Sequence, residues 1–360
     1  MNLAQAWQEP LRLDETYRAI AAILRRMEQI QASCAQGFPL YCTGADSHWK
    51  VSAGGSWLGG FWAGMWWLRA HRSALLDDRR QARRITERLR DKLGSATHHR
   101  SLIFHYGAGL GSCLLDDAMA HELAEQAVLE LARAFDPLLG CIALGRDMGG
   151  GEQGDQRLSI DPLAATLQLF SRRADPRLLS LGRQQLQASF RGCAAGDGAW
   201  SSQACHENGQ WRADDRPGNW SRGQAWAMLG LSVGARLYGA PYQQDAVQAC
   251  QYWQRSRGVD APFNRLSEPQ GPDDPCAAAM ASLALLGLAS QVPAGEVLHH
   301  QVGAQLAAII RGGDFHEGRF VGHCYRTSAA EEQKVESACG SFFLLAALLA
   351  WAGELDPNVI

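Results

Sequence analysis

Residues 57–72 read WLGGFWAGMWWLRAHR, and residues 75–93, after a link of a few residues, read LLDDRRQARRITERLRDKL. The first run carries Trp, Phe, Met and Leu on every side, with charge only near its end. The second confines its apolar residues to one stripe and fills the remainder with Arg, Asp and Glu. A helix that is apolar all round has to be buried on all sides, whereas an amphipathic one lies on the outside of a core. The pair therefore reads as an inner helix joined by a tight turn to an outer one.

The same unit recurs along the chain. Apolar spacing near 3.6 residues predicts helices over 13–33, 56–72, 76–94, 104–117, 119–135, 161–173, 176–194, 221–239, 243–257, 273–290, 295–311 and 334–352, and period-two alternation is scarce. After the even-numbered helices the chain turns within a few residues. After the odd-numbered ones it takes longer loops rich in Gly, Asp and Pro. The even helices are poorer in charge, as in KVESACGSFFLLAALLAWA at 334–352. The expected fold is all-α, an (α/α)6 barrel of six helical hairpins with even helices inside and odd helices outside, in a single domain over residues 1–360. An open solenoid is the other architecture of stacked hairpins, but no repeat of fixed period supports it.

Composition narrows the function. Hydrophobic residues make up 46% and charged residues 20% of the chain, and the net charge is −3. There is no basic field for nucleic acid or for an anionic membrane. No leader-like opening and no long uncharged apolar run is visible, so the expectation is a cytoplasmic protein, monomer or homodimer. The ten cysteines form no CxxC pair. Reduced thiols are the simpler reading, with neither metal nor cofactor expected.

In the expected barrel every long loop feeds the N-terminus of an inner helix, so the partial positive ends of six helices face one basin. Such a basin suits an anion such as a carboxylate. The residues there are Trp57 and Trp62, His105 and Tyr106, Asp161, then Trp220, Arg222, Gln224 and Trp226 within GNWSRGQAW (218–226), followed by Asp273, Asp274 and Ser341. The loops add His48, Trp49 and His206. Rings among hydrogen-bonding groups suit a sugar, whose apolar faces stack and whose hydroxyls pair. Arg222 can fork onto a carboxylate, and Asp161 can act as a general acid if a dry pocket raises its pKa. Each has a plainer reading. Asp161-Pro162 is also a helix start with an Asp cap. Arg222 can cap another helix or pair with Asp214 or Asp215. The tryptophans can be core, His98-His99 an exposed loop pair, and DMGGGEQGD (147–155) a flexible loop without calcium-loop spacing.

NWSRGQAWAMLGL resembles the W-[SA]-R-G-Q-A-W signature of the unsaturated glucuronyl hydrolases and unsaturated rhamnogalacturonyl hydrolases. WLGGFWAGMWWL, RLSIDPLAATLQLF, DDPCAAAMASLALLGLA and ESACGSFFLLAAL resemble four further family motifs, in family order, over about residues 56–350. The resemblance implies an (α/α)6 barrel. It also implies a hydrolase that removes a 4,5-unsaturated uronic acid from oligosaccharides left by polysaccharide lyases. In the family mechanism an aspartate protonates C4 of the vinyl ether, water adds at C5, and the hemiketal opens. By motif, that aspartate is Asp161, and Trp57, His206, Trp220, Arg222 and Trp226 are binding residues.

The chain also departs from the pattern. The family has a second aspartate in an H-D-x-G-F stretch opening the fourth helix. Matching that stretch to FHYGAG (104–109) puts His105 or Tyr106 at the position, so His105 is expected to replace the carboxylate as the partner of Asp161. Ala165 and Ser341 stand where the family has Asn and Asp. A hydrolase of a different sugar, or a sugar-binding protein without catalysis, remains open on the same barrel.

Overall fold

The computed structural model describes residues 9–34, 37–44, 48–240, 242–293, 295–328 and 331–360. The opening residues on which the leader reading rests, and Pro241 and Ala294 in two of the short links, lie outside that set.

The protein is mostly helical. The outer layer consists of α1 (Leu13–Ser33), α3 (Leu76–Glu87), α6 (Ala118–Arg133), α8 (Pro176–Cys193), α10 (Tyr242–Arg257) and α12 (Gly295–Arg311). The inner layer consists of α2 (Gly59–Ser73), the broken helix α4 (Arg100–Phe104) and α5 (Leu110–Leu115), then α7 (Leu163–Ser171), α9 (Ser221–Tyr238), α11 (Pro275–Ala289) and α13 (Ala338–Trp351). Each inner helix packs on the next in chain order, and α13 packs back on α2. Each outer helix lies against an inner neighbour. Burial follows this arrangement: every residue from Pro275 to Leu288 on α11 and from Ala338 to Leu349 on α13 is buried.

Two glycines of the opening motif explain how α2 can sit inside. A Cβ on Gly60 would come within 2.6 Å of the Ile103 backbone, and one on Gly64 within 2.8 Å of the Phe342 ring. No real Cβ tolerates such contacts, so a side chain at Gly60 would push α2 and α4 apart. Trp67 fills the next layer, donating from Nε1 to the Gly107 carbonyl at 2.8 Å and to Thr86 at 2.9 Å.

Three boundaries differ from the expected ones, and each moves a residue of the basin. The second inner helix starts at Arg100, not at 104, and contains a π-helical turn at His105–Gly109. Residues 334–337 belong to a strand that precedes α13, not to the helix. The helix after Asp161 begins at Leu163.

The long loops carry short antiparallel strands, which the periodicity did not predict; β3 (Phe135–Asp136) with β4 (Cys141–Ile142) and β8 (Phe315–His316) with β9 (Arg319–Phe320) are two-stranded pairs. β1 (Phe38–Thr43), β2 (Lys50–Ser52), β10 (His323–Ser328) and β11 (Glu331–Ser337) form one sheet in the order β10-β11-β1-β2. It joins the two ends of the chain, with Tyr41 opposite Ser337. β5 (Arg157–Ser159), β6 (Gln203–Glu207) and β7 (Gln210–Ala213) form a second sheet between the loops that enter α7 and α9. Pairing between segments about 300 residues apart leaves no local sequence signal.

Candidate active site

Asp161 sits between β5 and α7. Ser159 pairs with Gln203 across the sheet, and the Ile160 N–H donates to the Ser202 carbonyl at 2.9 Å, which fixes the turn. Pro162 occupies the cap position, and its carbonyl accepts from Thr166 N–H at 2.8 Å. The Asp161 carboxyl therefore does not serve as the cap. Its Oδ1 is buried with no hydrogen-bond partner, although the residue as a whole is only half-buried. Burial pushes the carboxyl up from 3.8 to about 7, against the downward pull of Arg222 and Ser159 and with a further push from Asp215. Unpaired burial disfavours the charged form, so the acid holds its proton near neutrality. A protonated carboxyl with one orphaned oxygen in a half-open position is unusual in a structural role and suited to proton donation.

Arg222 lies in the first turn of α9. Its Nη1 contacts Oδ2 of Asp274, its Nη2 donates to the Cys324 carbonyl at 2.9 Å, and its guanidinium covers the Trp220 ring at 4.9 Å. Asp274 is fully buried, and its Oδ1 accepts from Cys324 N–H at 3.3 Å. Burial pushes Asp274 up to about 6 against the pull of Arg222. Arg222 is thus tied into a buried ion pair, with Asp274 and not with Asp214 or Asp215. It is near enough to act on Asp161 and Tyr325, but its charge is already matched.

A row of half-buried rings borders the same region. Tyr41 lies 5.0 Å from Tyr325, Tyr325 lies 6.5 Å from Trp57, and Trp57 stacks on His99 at 5.7 Å with 25° between planes. Partly exposed ring faces are the surface a sugar can stack on. Trp57 and Trp220 keep such faces, and Trp220 is steadied by its Nε1–H donating to Asn264 at 3.0 Å.

His98 and His99 are not an exposed pair. His98 is buried with both ring nitrogens unpartnered, and the Nδ1 of His99 is buried without a partner. Burial holds His99 down at about 4, so it is a neutral imidazole near pH 7. Both precede Arg100 at the mouth of α4, and the Ser101 and Thr166 hydroxyls meet at 2.7 Å, which ties that mouth to the first turn of α7.

His105 is displaced from its expected place beside Asp161. With the helix starting at Arg100, position 105 lies about 7 Å further along the axis. There it is acted on by Arg172 just past the end of α7, by Arg236 and by the backbone of Val359 and Ile360, whereas Asp161 precedes the start of α7. Burial holds its ring down at about 3. The H-x-G stretch at 105–107 resembled the family's helix opening, but the helix opens five residues earlier, at Arg100, behind His98 and His99. Neither stretch supplies a carboxylate.

Other expected binding residues also turn inward. Trp226 is 2% exposed and packs edge-on against Phe343 at 5.3 Å. Gln224 is fully buried; its Oε1 accepts from Trp200 N–H at 3.0 Å and its Nε2 donates to Gly198 at 2.9 Å. Both hold α9 in place and offer nothing to a sugar. His206 stays on the hairpin, packed on Trp211 at 5.0 Å. It lies three residues along β6 from Gln203, about 10 Å further from Asp161 by strand rise. Trp62 and Tyr106 are core, Asp273 pairs with Lys334 at 2.8 Å, Ser341 is buried and His48 is exposed. Sequence reasoning missed Tyr41, Tyr325 and His99. The alternation of His323, Tyr325 and Thr327 on one strand face was the available signal for Tyr325.

Neither a family model nor a curated protein matches the sequence. Solved structures do match. The unsaturated glucuronyl hydrolase of Bacillus sp. GL1, described as responsible for the degradation of glycosaminoglycan, superposes with a TM-score of 0.78 at 20% identity, covering 94% of this chain and 96% of that one. An unsaturated glucuronyl hydrolase specific for heparin gives 0.82 at 17% identity, over 95% and 96%. The enzyme of Streptococcus agalactiae gives 0.81 at 17% identity, over 96% and 94%. The chain has the fold of the unsaturated glucuronyl hydrolases. The match runs over nearly the whole length of both chains.

Proposed function

We propose that this protein is a glycoside hydrolase on an (α/α)6 barrel that removes a terminal 4,5-unsaturated uronic acid from lyase-generated oligosaccharides, with Asp161 as general acid and base. The single observation that carries the reading is the orphaned Oδ1 of Asp161 on a carboxyl raised to about 7. In its protonated form Asp161 gives a proton to C4 of the vinyl ether. The resulting carboxylate then takes a proton from the water that adds at C5, and the hemiketal opens to release the sugar. One carboxyl group serves both steps, so a second is not required. Trp57 and Tyr325 give the ring a stacking wall, with Trp220 behind Arg222. A variant of the Streptococcus agalactiae enzyme complexed with dGlcA-GalNAc6S has the same fold, at a TM-score of 0.76 and 16% identity, which supports an oligosaccharide of this class as the partner.

A second reading is favoured by one observation. The Arg222–Asp274 pair leaves that cation already matched, which suits a neutral sugar better than a uronate. A panel of unsaturated disaccharides separates the two. The first reading expects loss of the ultraviolet absorbance of the enoluronate double bond with wild-type protein and none with Asp161→Asn. Wild-type protein that leaves the whole panel untouched while cleaving a saturated glycoside would establish the second.

A further inference from the structure

The spacing of the cysteines gave no hint of a metal, yet the fold brings Cys276, His323 and Cys339 together. Their ligand atoms all lie within 4.8 Å of one another, and all three residues are buried. They come from three segments: the first turn of α11, the start of β10 and the first turn of α13. Backbone and side-chain bonds lock each into position. Cys276 N–H donates to the Gly322 carbonyl at 2.7 Å, joining α11 to the chain just before His323. Ser337 meets His323 Nδ1 at 2.6 Å while its Oγ accepts from Gly340 N–H at 2.9 Å beside Cys339. The remaining ring nitrogen, Nε2 of His323, is buried with no partner. A metal-bound imidazole has this arrangement, one nitrogen held by a neighbouring oxygen and the other left for the ion.

We propose that Cys276, Cys339 and His323 Nε2 form a buried three-coordinate site for a soft monovalent d10 ion, Cu+. Two thiolates and an imidazole select soft metals. Zn2+ in a closed site needs a fourth ligand. The nearby carboxylate of Asp274 is committed on both oxygens, to Arg222 and to Cys324 N–H. Arg222 lies close enough to both cysteines to act on them electrostatically. Its positive charge also disfavours a divalent ion more than a monovalent one. On binding, the two thiol protons leave to solvent, Nδ1–H donates to Ser337, and the ion is neither oxidised nor reduced. The bound ion would cross-link α11, β10 and α13 directly beneath the Arg222–Asp274 pair.

The test is metal content after expression of the full chain in copper-supplemented and zinc-supplemented media, with anaerobic purification. The expected result is one copper per chain for wild type and for Cys113→Ser, which removes the exposed thiol. Cys276→Ser/Cys339→Ser should retain none while its circular dichroism matches wild type. X-ray absorption should report two sulfur and one nitrogen neighbours, and the loaded protein should melt above the metal-free one. If the double variant fails to fold, His323→Gln takes its place, with copper lost or reduced to two sulfur neighbours. Copper retained equally by the double variant, no copper in wild type, a Cys276–Cys339 disulfide in its place, or stoichiometric zinc would each overturn the proposal.

Discussion

The Asp161→Asn substitution is expected to change stability in a way that depends on pH, and the size of the change follows from the site. Burial raises the carboxyl from 3.8 to about 7. Between those values the folded protein holds a proton that the unfolded chain has released. The carboxyl's contribution is therefore fully present below about pH 4 and is lost as pH rises through about 7. At about 1.36 kcal/mol for each factor of ten, the full rise corresponds to about 4 kcal/mol. Because Asp161 keeps some contact with solvent, about 2–4 kcal/mol is the expected range. Asparagine has nearly the same shape and cannot ionise. Urea denaturation followed by tryptophan fluorescence, run on both proteins from about pH 4 to about pH 8.5, gives the difference with other titrating groups cancelled. The variant should gain on wild type by that amount across the range. A difference that stays flat with pH would mean an ordinary carboxyl, and the general-acid reading of Asp161 would fail with it.

Three further outcomes follow from the same structure. If protonated Asp161 is the acid, kcat/KM should fall tenfold per unit above about pH 7. His99 and His105 should contribute no limb between about pH 5 and 7, because burial holds them at about 4 and 3; a limb in that range that His99→Gln or His105→Gln abolishes would contradict this. Gln224→Ala removes the buried partners of Trp200 N–H and the Gly198 carbonyl and should cost about 2–4 kcal/mol in a denaturation midpoint while leaving KM unchanged. A raised KM at unchanged stability would restore it as a sugar contact. Asp274→Asn leaves Arg222 buried without its partner and should cost about 3–5 kcal/mol. A neutral effect in calorimetry would show that Arg222 is free to turn toward a ligand.

The hairpin order was legible because polarity around a helix is a local property. WLGGFWAGMWWLRAHR has no polar face to give to water, and the charged helix after it has only one stripe to bury, so inner and outer layers follow without any knowledge of partners. The place of Asp161 was legible for the same reason, since a loop rich in turn residues leads directly into an apolar helix. What the rim residues do was not legible, because it depends on distant segments. Arg222 finds its charge partner 52 residues away. His99 becomes a ring of the basin only because Trp57 stacks on it. His105 is carried away from Asp161 by a helix that begins at Arg100. Trp220 and Trp226, one residue type in one motif, end with different fates because α9 turns the second toward Phe343 and leaves the first at the rim. Local spacing decides which face a residue is on. Only tertiary packing decides whether that face meets water, a counter-charge or a ligand, because burial and pairing are properties of the assembled chain.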